Sequence, residues 1–163
     1  MKNVYLIRHA KSDWNDESQS DFERGLNKRG QKAILTMANA LKERRVIPDL
    51  ILSSSAKRAK LTAKGLAKEI EYSGKITYID ALYMAEPIDV ISIIQEIKDK
   101  YDNVFIVGHN PETTELTDQM LDDYIENVPT LGIVALELPI KHWKEFKPEK
   151  VKLNFFIYPK MYT

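Results

Sequence analysis

Arg8-His9, Arg58 and Gly108-His109-Asn110 carry the side chains of this 163-residue chain best suited to chemistry. A guanidinium is a planar, forked donor that keeps its charge at any working pH, so two of them suit a dianionic phosphoryl group. Imidazole is partly unprotonated near neutral pH and can act as a nucleophile. Asn110-Pro111-Glu112 reads as a helix start, with a capping residue, Pro at the first helical position and an acid in the first turn. The free N–H groups and positive dipole end of such a start favour an anion. Two Arg, two His and a helix start together favour phosphoryl transfer through a covalent phosphohistidine.

The elements that must position these groups are visible in the periodicity. Strand-like runs lie at 3–7, 50–53, 76–79 and 103–107, and two more at 131–138 and 151–157. Asn27 is the cap of a helix whose apolar stripe is Ala33, Ile34, Met37, Ala38 and Leu41, with Pro48 beyond its end. A second helix is expected over 56–72, stopping near Gly74, and a third over 88–100 with Val90, Ile91, Ile94 and Ile97 facing the core. The fourth starts at Asn110. This alternation predicts an α/β fold, a three-layer sandwich with a mainly parallel central sheet and helices on both faces. No linker, low-complexity tract or repeat divides the chain, so one domain over 1–163 is expected.

In sheets of this kind ligands bind beyond the carboxyl ends of the strands. The first strand ends at Arg8-His9. The second ends in Ser53-Ser54-Ser55, with Arg58 in or near the next helical turn, and the 103–107 strand ends at Gly108-His109-Asn110. The 76–79 strand leads to Tyr83 and Glu86. Two His, two Arg and a carboxylate are therefore expected at one rim.

Composition narrows the function classes. Lys and Arg number 24 and Asp and Glu 24, so no general charge draws the protein to nucleic acid or an anionic membrane. There is no Cys, which removes disulfides, thiolate metal sites and thiol nucleophiles together. No run approaches the roughly 20 apolar residues of a membrane span. The N-terminus lacks a signal-peptide pattern, and a cytoplasmic location is the expectation.

Leu6-Ile7-Arg8-His9-Ala10-Lys11-Ser12 resembles the signature of the histidine phosphatase superfamily, the phosphoglycerate mutase-like proteins, whose usual form is Arg-His-Gly. The Arg-His-Ala-Lys-Ser form is similar to the small SixA-type phosphohistidine phosphatase branch. Asp21-Phe22-Glu23-Arg24-Gly25-Leu26 with Gly30 is similar to that branch's Asp-x-x-Arg-Pro-Leu…Gly segment, with Gly25 where Pro is commoner. Ser53-Ser54-Ser55-Ala56-Lys57-Arg58-Ala59 with Thr62-Ala63 resembles its Ser-x-x-x-Arg-Ala-x-x-Thr-Ala segment, and Gly108-His109-Asn110-Pro111 its second-histidine loop. The four motifs occur in order across residues 3–138.

The resemblance implies that His9 is the nucleophile, that Arg8 and Arg58 hold the phosphoryl oxygens, and that His109 donates a further hydrogen bond. Asn110 joins the phosphate site or orders its loop. Water then attacks phospho-His9 and releases phosphate, with no metal or other cofactor implied. The substrate it implies is a phosphohistidine protein or a small phosphate ester. Many superfamily members supply a general acid from a loop after a middle strand, and Glu86 is the candidate there; Asp13 and Asp16 are further candidates.

Each of these positions also has a plainer reading. Arg24 serves equally well as a substrate contact or as an ion-pair partner of Asp21 or Glu23. Glu86 precedes Pro87 and could simply open the third helix. Lys11 and Ser12 shape the loop mouth, and His142 with Trp143 reads as surface packing. Two other functions share the residue set: a module that binds phosphohistidine without turnover, and a phosphoglycerate mutase, for which the chain is short.

Overall fold

A computed structural model describes residues 1–149 and 151–163. Its strands are β1 (Lys2–Arg8), β2 (Leu50–Ser54), β3 (Ile76–Ile79), β4 (Asn103–Gly108), β5 (Ile133–Leu138) and β6 (Lys152–Ile157). They form one six-stranded sheet in the order β3-β2-β4-β1-β5-β6. The pairs β2–β3, β2–β4 and β1–β4 are parallel, whereas β5 runs antiparallel to both β1 and β6. Five strands therefore point one way and β5 the other, as the mainly parallel reading requires.

Both faces are covered because each strand alternates its large apolar residues. Tyr5, Ile7, Ile51, Phe105 and Val107 face α1 (Lys28–Glu43) and α2 (Lys57–Glu69), packing on Ile34, Met37, Leu41 and Leu66. Val4, Leu6, Leu52, Val104 and Ile106 face α3 (Pro87–Gln95) and α4 (Glu112–Met120), with Val90, Ile94 and Leu116. Strands buried on both faces read as continuous apolar runs, which is why they stood out in the sequence. Among the described residues no helix is long and apolar enough to cross a membrane.

Asn27 caps α1 as expected, its Oδ1 accepting from the Gly30 N–H at 2.8 Å. α3 is shorter than its apolar pattern, ending at Gln95. The N–H groups of Glu96 and Ile97 bond three residues back, to Ile93 and Ile94, a tightening common at helix ends. Pro111 sits just before α4 rather than inside it, and its peptide bond to Asn110 is cis.

Trp143 corrects the surface reading of 142–143. The indole is fully buried in the α3 face of the core, with Nε1 donating to the Tyr101 carbonyl at 2.7 Å. An aromatic body with one satisfied N–H is inexpensive to bury. His142 stays exposed, its Nδ1 2.8 Å from the Asp99 carboxylate.

Candidate active site

The sheet register brings the sequence motifs together. Arg8 pairs with Gly108 across β1 and β4, and Val107 lies between Ile7 and Ser53. Three strands thus end level, and His9, His109 and Ser54, at or just beyond those ends, share one rim. The His9 N–H donates to the Gly108 carbonyl at 3.0 Å, and the Leu131 N–H reaches the Arg8 and His9 carbonyls, each at 3.0 Å. The two imidazole centroids lie 5.2 Å apart.

These residues open on a pocket of about 400 Å³ that contains Arg8, His9, Arg58, His109 and Asn110 together. Arg24, Lys11, Ser12, Trp14 and Thr130 complete its wall. No Asp or Glu side chain lines it among the described residues.

The tautomer of His9 follows from its partner. Nδ1 lies 2.7 Å from the Ala10 carbonyl oxygen, which can only accept, so Nδ1 carries the proton and Nε2 keeps its lone pair. Burial pushes the imidazole pKa down to about 3. The Ala10 carbonyl opposes that shift, and His109, Arg58 and Arg8 reinforce it. His9 is therefore a neutral imidazole at neutral pH, the form a nucleophile needs.

His109 is held by Ser54, with Nε2 and Oγ 2.8 Å apart, and Ser54 Oγ also accepts the Ala56 N–H at 3.2 Å. Burial, then the charge of Arg58, pushes the His109 pKa down to about 4, against the pull of Asp21. Its Nδ1 is buried and has no protein partner among the described residues, and the same is true of Nε of Arg8 and of Arg58. Buried polar atoms are normally paired, so three unmatched nitrogens around one pocket are an unusual concentration of hydrogen-bonding capacity.

Arg58 is oriented by the Asp21 segment: Nη1 donates to the Asp21 carbonyl at 2.7 Å and Nη2 to its carboxylate at 3.1 Å. The same carboxylate takes Arg24 at 2.7 Å and the Tyr83 hydroxyl at 2.6 Å. Tyr83, Arg58 and Arg24 hold Asp21 ionised below its ordinary range, the Tyr83 bond contributing most. Arg24 is thus both an ion-pair partner of Asp21 and part of the pocket wall, and it lies 3.6 Å from the ring centroid of the exposed Trp14.

Arg8 Nη1 donates to the Val128 carbonyl at 3.0 Å. Asn110 ties its loop together, donating to Asn127 Oδ1 and the Val128 carbonyl and accepting from Thr114. The loop-ordering role and the place in the pocket coexist.

Glu86 stands elsewhere. It is exposed at the start of α3, where its N–H donates to the Asp89 carboxylate at 2.8 Å, and it does not line the pocket. Asp13 and Asp16 are outside the lining too, with Asp13 accepting from the Asn15 N–H and Asp16 from Ser18. The acid that local pattern did not distinguish is Glu112. Read as an ordinary first-turn residue, it is 4% exposed and outside the pocket lining, with Oε2 unpartnered among the described residues. Burial and the nearby Glu115 raise its pKa to about 7, against its own N–H, the Ala85 N–H and Arg58.

Thr62 was visible only as part of a motif. Its hydroxyl accepts the Ala10 N–H at 2.9 Å and donates to the Arg58 carbonyl at 2.7 Å, joining the His9 loop to the Arg58 helix.

Comparison with known proteins bears on family and fold. The model of the histidine phosphatase superfamily (branch 1) matches residues 4–82. A Mycobacterium tuberculosis protein, itself uncharacterized, is 30% identical over 94% of this chain and 100% of its own length. A crystal structure from Agrobacterium tumefaciens, described as a candidate phosphohistidine phosphatase SixA, is 30% identical with a TM-score of 0.83, covering 97% of this chain and 98% of that one. The protein histidine phosphatase SixA complexed with tungstate shares the fold with a TM-score of 0.83 at 19% identity, over 98% of each chain. With the four motifs assembled on one rim of the matching fold, the chain belongs to the histidine phosphatase superfamily, in its SixA-type branch.

Proposed function

We propose that this protein is a phosphatase that hydrolyses phosphohistidine, or small and aryl phosphomonoesters, through a phosphoryl group carried on His9 Nε2. The observation that carries the reading is the neutral His9, its Nδ1–H committed to the Ala10 carbonyl, in a pocket walled by Arg8, Arg24 and Arg58. Cationic donors fixed before the reaction stabilise charge spread over the equatorial oxygens without reorganising.

In the first step Nε2 attacks phosphorus, the N–P bond forms, and the bond to the leaving group breaks with its electron pair. In the second, water attacks phospho-His9, the P–N bond breaks, and inorganic phosphate leaves as the lone pair returns to Nε2. Arg8 and Arg58 hold the phosphoryl oxygens in both steps. His109 protonated on Nδ1 adds a donor while Nε2 accepts from the Ser54 hydroxyl.

A pocket wall without a carboxylic acid among the described residues supports the substrate class. An alkoxide needs a positioned proton donor, worth typically 10²–10⁴-fold. A phosphorylated imidazole takes a proton from solvent on its other nitrogen and leaves neutral, and an aryloxide is stable enough to leave alone.

The test is mass spectrometry after rapid alkaline quench, with a phosphoramidate donor. The expected result is phosphate on His9 in the wild type and none in His9→Ala, with turnover lost in the variant. Phosphate binding with neither trapped intermediate nor turnover of any donor would instead identify a phosphohistidine-binding module.

A further inference from the structure

Beside the phosphate pocket lies a second groove of about 570 Å³ that the chemistry at His9 does not use. Lys11 and Thr130 line both, so the two adjoin. Arg29, Lys32 and Lys160 bring further positive charge to the groove, Pro129 and Tyr158 give it apolar wall, and Thr163 lies at its edge. No Asp or Glu side chain lines it among the described residues.

Two features make this more than a chance cluster of surface lysines. First, the protein carries equal numbers of basic and acidic residues, yet every charged side chain among the described residues lining the groove is a cation. Second, Arg29 and Lys32 occupy the first two turns of α1, whose first turn holds no acid. Cations there oppose the helix dipole, so local stability gives no reason for them.

We infer that this groove docks an acidic peptide segment beside the phosphorylated residue, making a phosphoprotein with acidic flanks the preferred substrate. The inference rests on the phosphatase reading for the chemistry, and on the groove for the flank. An open trough with spaced cations and an apolar wall suits an extended chain bearing several carboxylates. A single second phosphate would be better served by convergent donors. Exposed charges act mainly on encounter rate and are screened by salt, so the preference has a signature.

The experiment compares phosphohistidine peptides of equal length with Glu or Gln on both sides of the phosphorylated residue, alongside an aryl phosphate that fills only the pocket. Exposed pairs of this kind together give a preference on the order of 10-fold in kcat/KM for the Glu peptide at low salt. It should shrink as salt rises and vanish in the double variant Arg29→Glu, Lys32→Glu, with aryl phosphate turnover retained. Acids near the start of α1 suit the helix dipole, so that variant should fold. Equal rates for the two peptides, or a preference that survives the double variant, would overturn the inference. So would inhibition by a small bisphosphate that depends on Arg29 and Lys32 without any peptide preference. Anisotropy of a fluorescent, unphosphorylated Glu peptide separates the two ideas. Binding lost in the double variant, with no hydrolysis of any phosphate, would uphold the groove and sink the phosphatase.

Discussion

The Thr62 hydroxyl lies 2.9 Å from the backbone nitrogen of Ala10, and 2.7 Å from the Arg58 carbonyl oxygen. One side chain on α2 therefore sets the distance between the His9 loop and the helix that carries Arg58. Thr62→Val keeps the shape but leaves the buried Ala10 N–H unpaired, which costs about 1–3 kcal/mol of stability. The expected outcome is a lower denaturation midpoint and a kcat reduced by about 10-fold or more, since small misplacements of reacting groups are expensive. Thr62→Ser should restore most of both, measured by urea unfolding and steady-state kinetics. A Val variant with unchanged kcat would remove Thr62 from the positioning role.

His9 predicts the acid limb of the pH profile. With its pKa at about 3, His9 stays neutral down to that pH, so it adds no fall in kcat/KM near pH 6.5. After correction for substrate ionisation, kcat/KM should be level from about pH 5 to 8. A limb at an ordinary imidazole pKa of about 6.5 would show that His9 is solvated in the free enzyme. Stability moves the same way. The unfolded chain binds a proton at His9 that the folded chain refuses, so this contribution is present above the unfolded value and is lost as pH falls toward 3.

Glu112 acts in the opposite direction. Its folded pKa of about 7 lies above the ordinary 4.5, so folding favours the protonated form. That stability is complete below the unfolded value and disappears as pH rises through 7. Glu112→Gln mimics the neutral acid and should stabilise the fold at pH 8 by on the order of 1–3 kcal/mol, with little effect at pH 5. Thermal unfolding at the two pH values checks this, and equal shifts at both would show that the carboxyl is ionised throughout.

Gly30 permits the close approach of α1 to the loop of residues 9–12. A Cβ there would collide with the Lys11 carbonyl oxygen, a backbone atom that cannot swing away. The same oxygen accepts the Asn27 N–H at 3.1 Å. Gly30→Ala should displace residues 9–12, lowering stability by about 1–3 kcal/mol and kcat/KM by at least about 10-fold. An Ala variant with wild-type kinetics would mean that α1 shifts instead of the loop.

Glu86→Gln should leave hydrolysis of aryl phosphate and phosphohistidine within about 2-fold, because exposed substitutions away from the chemistry are usually mild. Loss of activity by 100-fold would bring Glu86 into the reaction as a proton donor through movement of its loop.

The elements were readable in the sequence because burial on both faces forces uninterrupted apolar strands, and because Asn27 and Asn110-Pro111 mark helix starts chemically. The motif residues were readable for a related reason: Arg8-His9 and Gly108-His109 follow directly on those strands, so their place at the rim comes from chain continuity. Distance along the chain hid the remainder. Glu112 looks like any first-turn acid until α4 packs and closes it off from water. Trp143 looks like a surface residue until its turn folds onto α3, and Asp21 reaches Arg58 only through a loop with no periodicity. Lys11, Arg29 and Lys160 share a groove only after α1 and the final turn meet. Residue types and chain order alone set which groups are available and at which strand end they stand. Folding settles which nitrogen of His9 is free, which carboxyl is buried and which cations share a groove, because hydrogen bonding and desolvation depend on neighbours brought in from far along the chain.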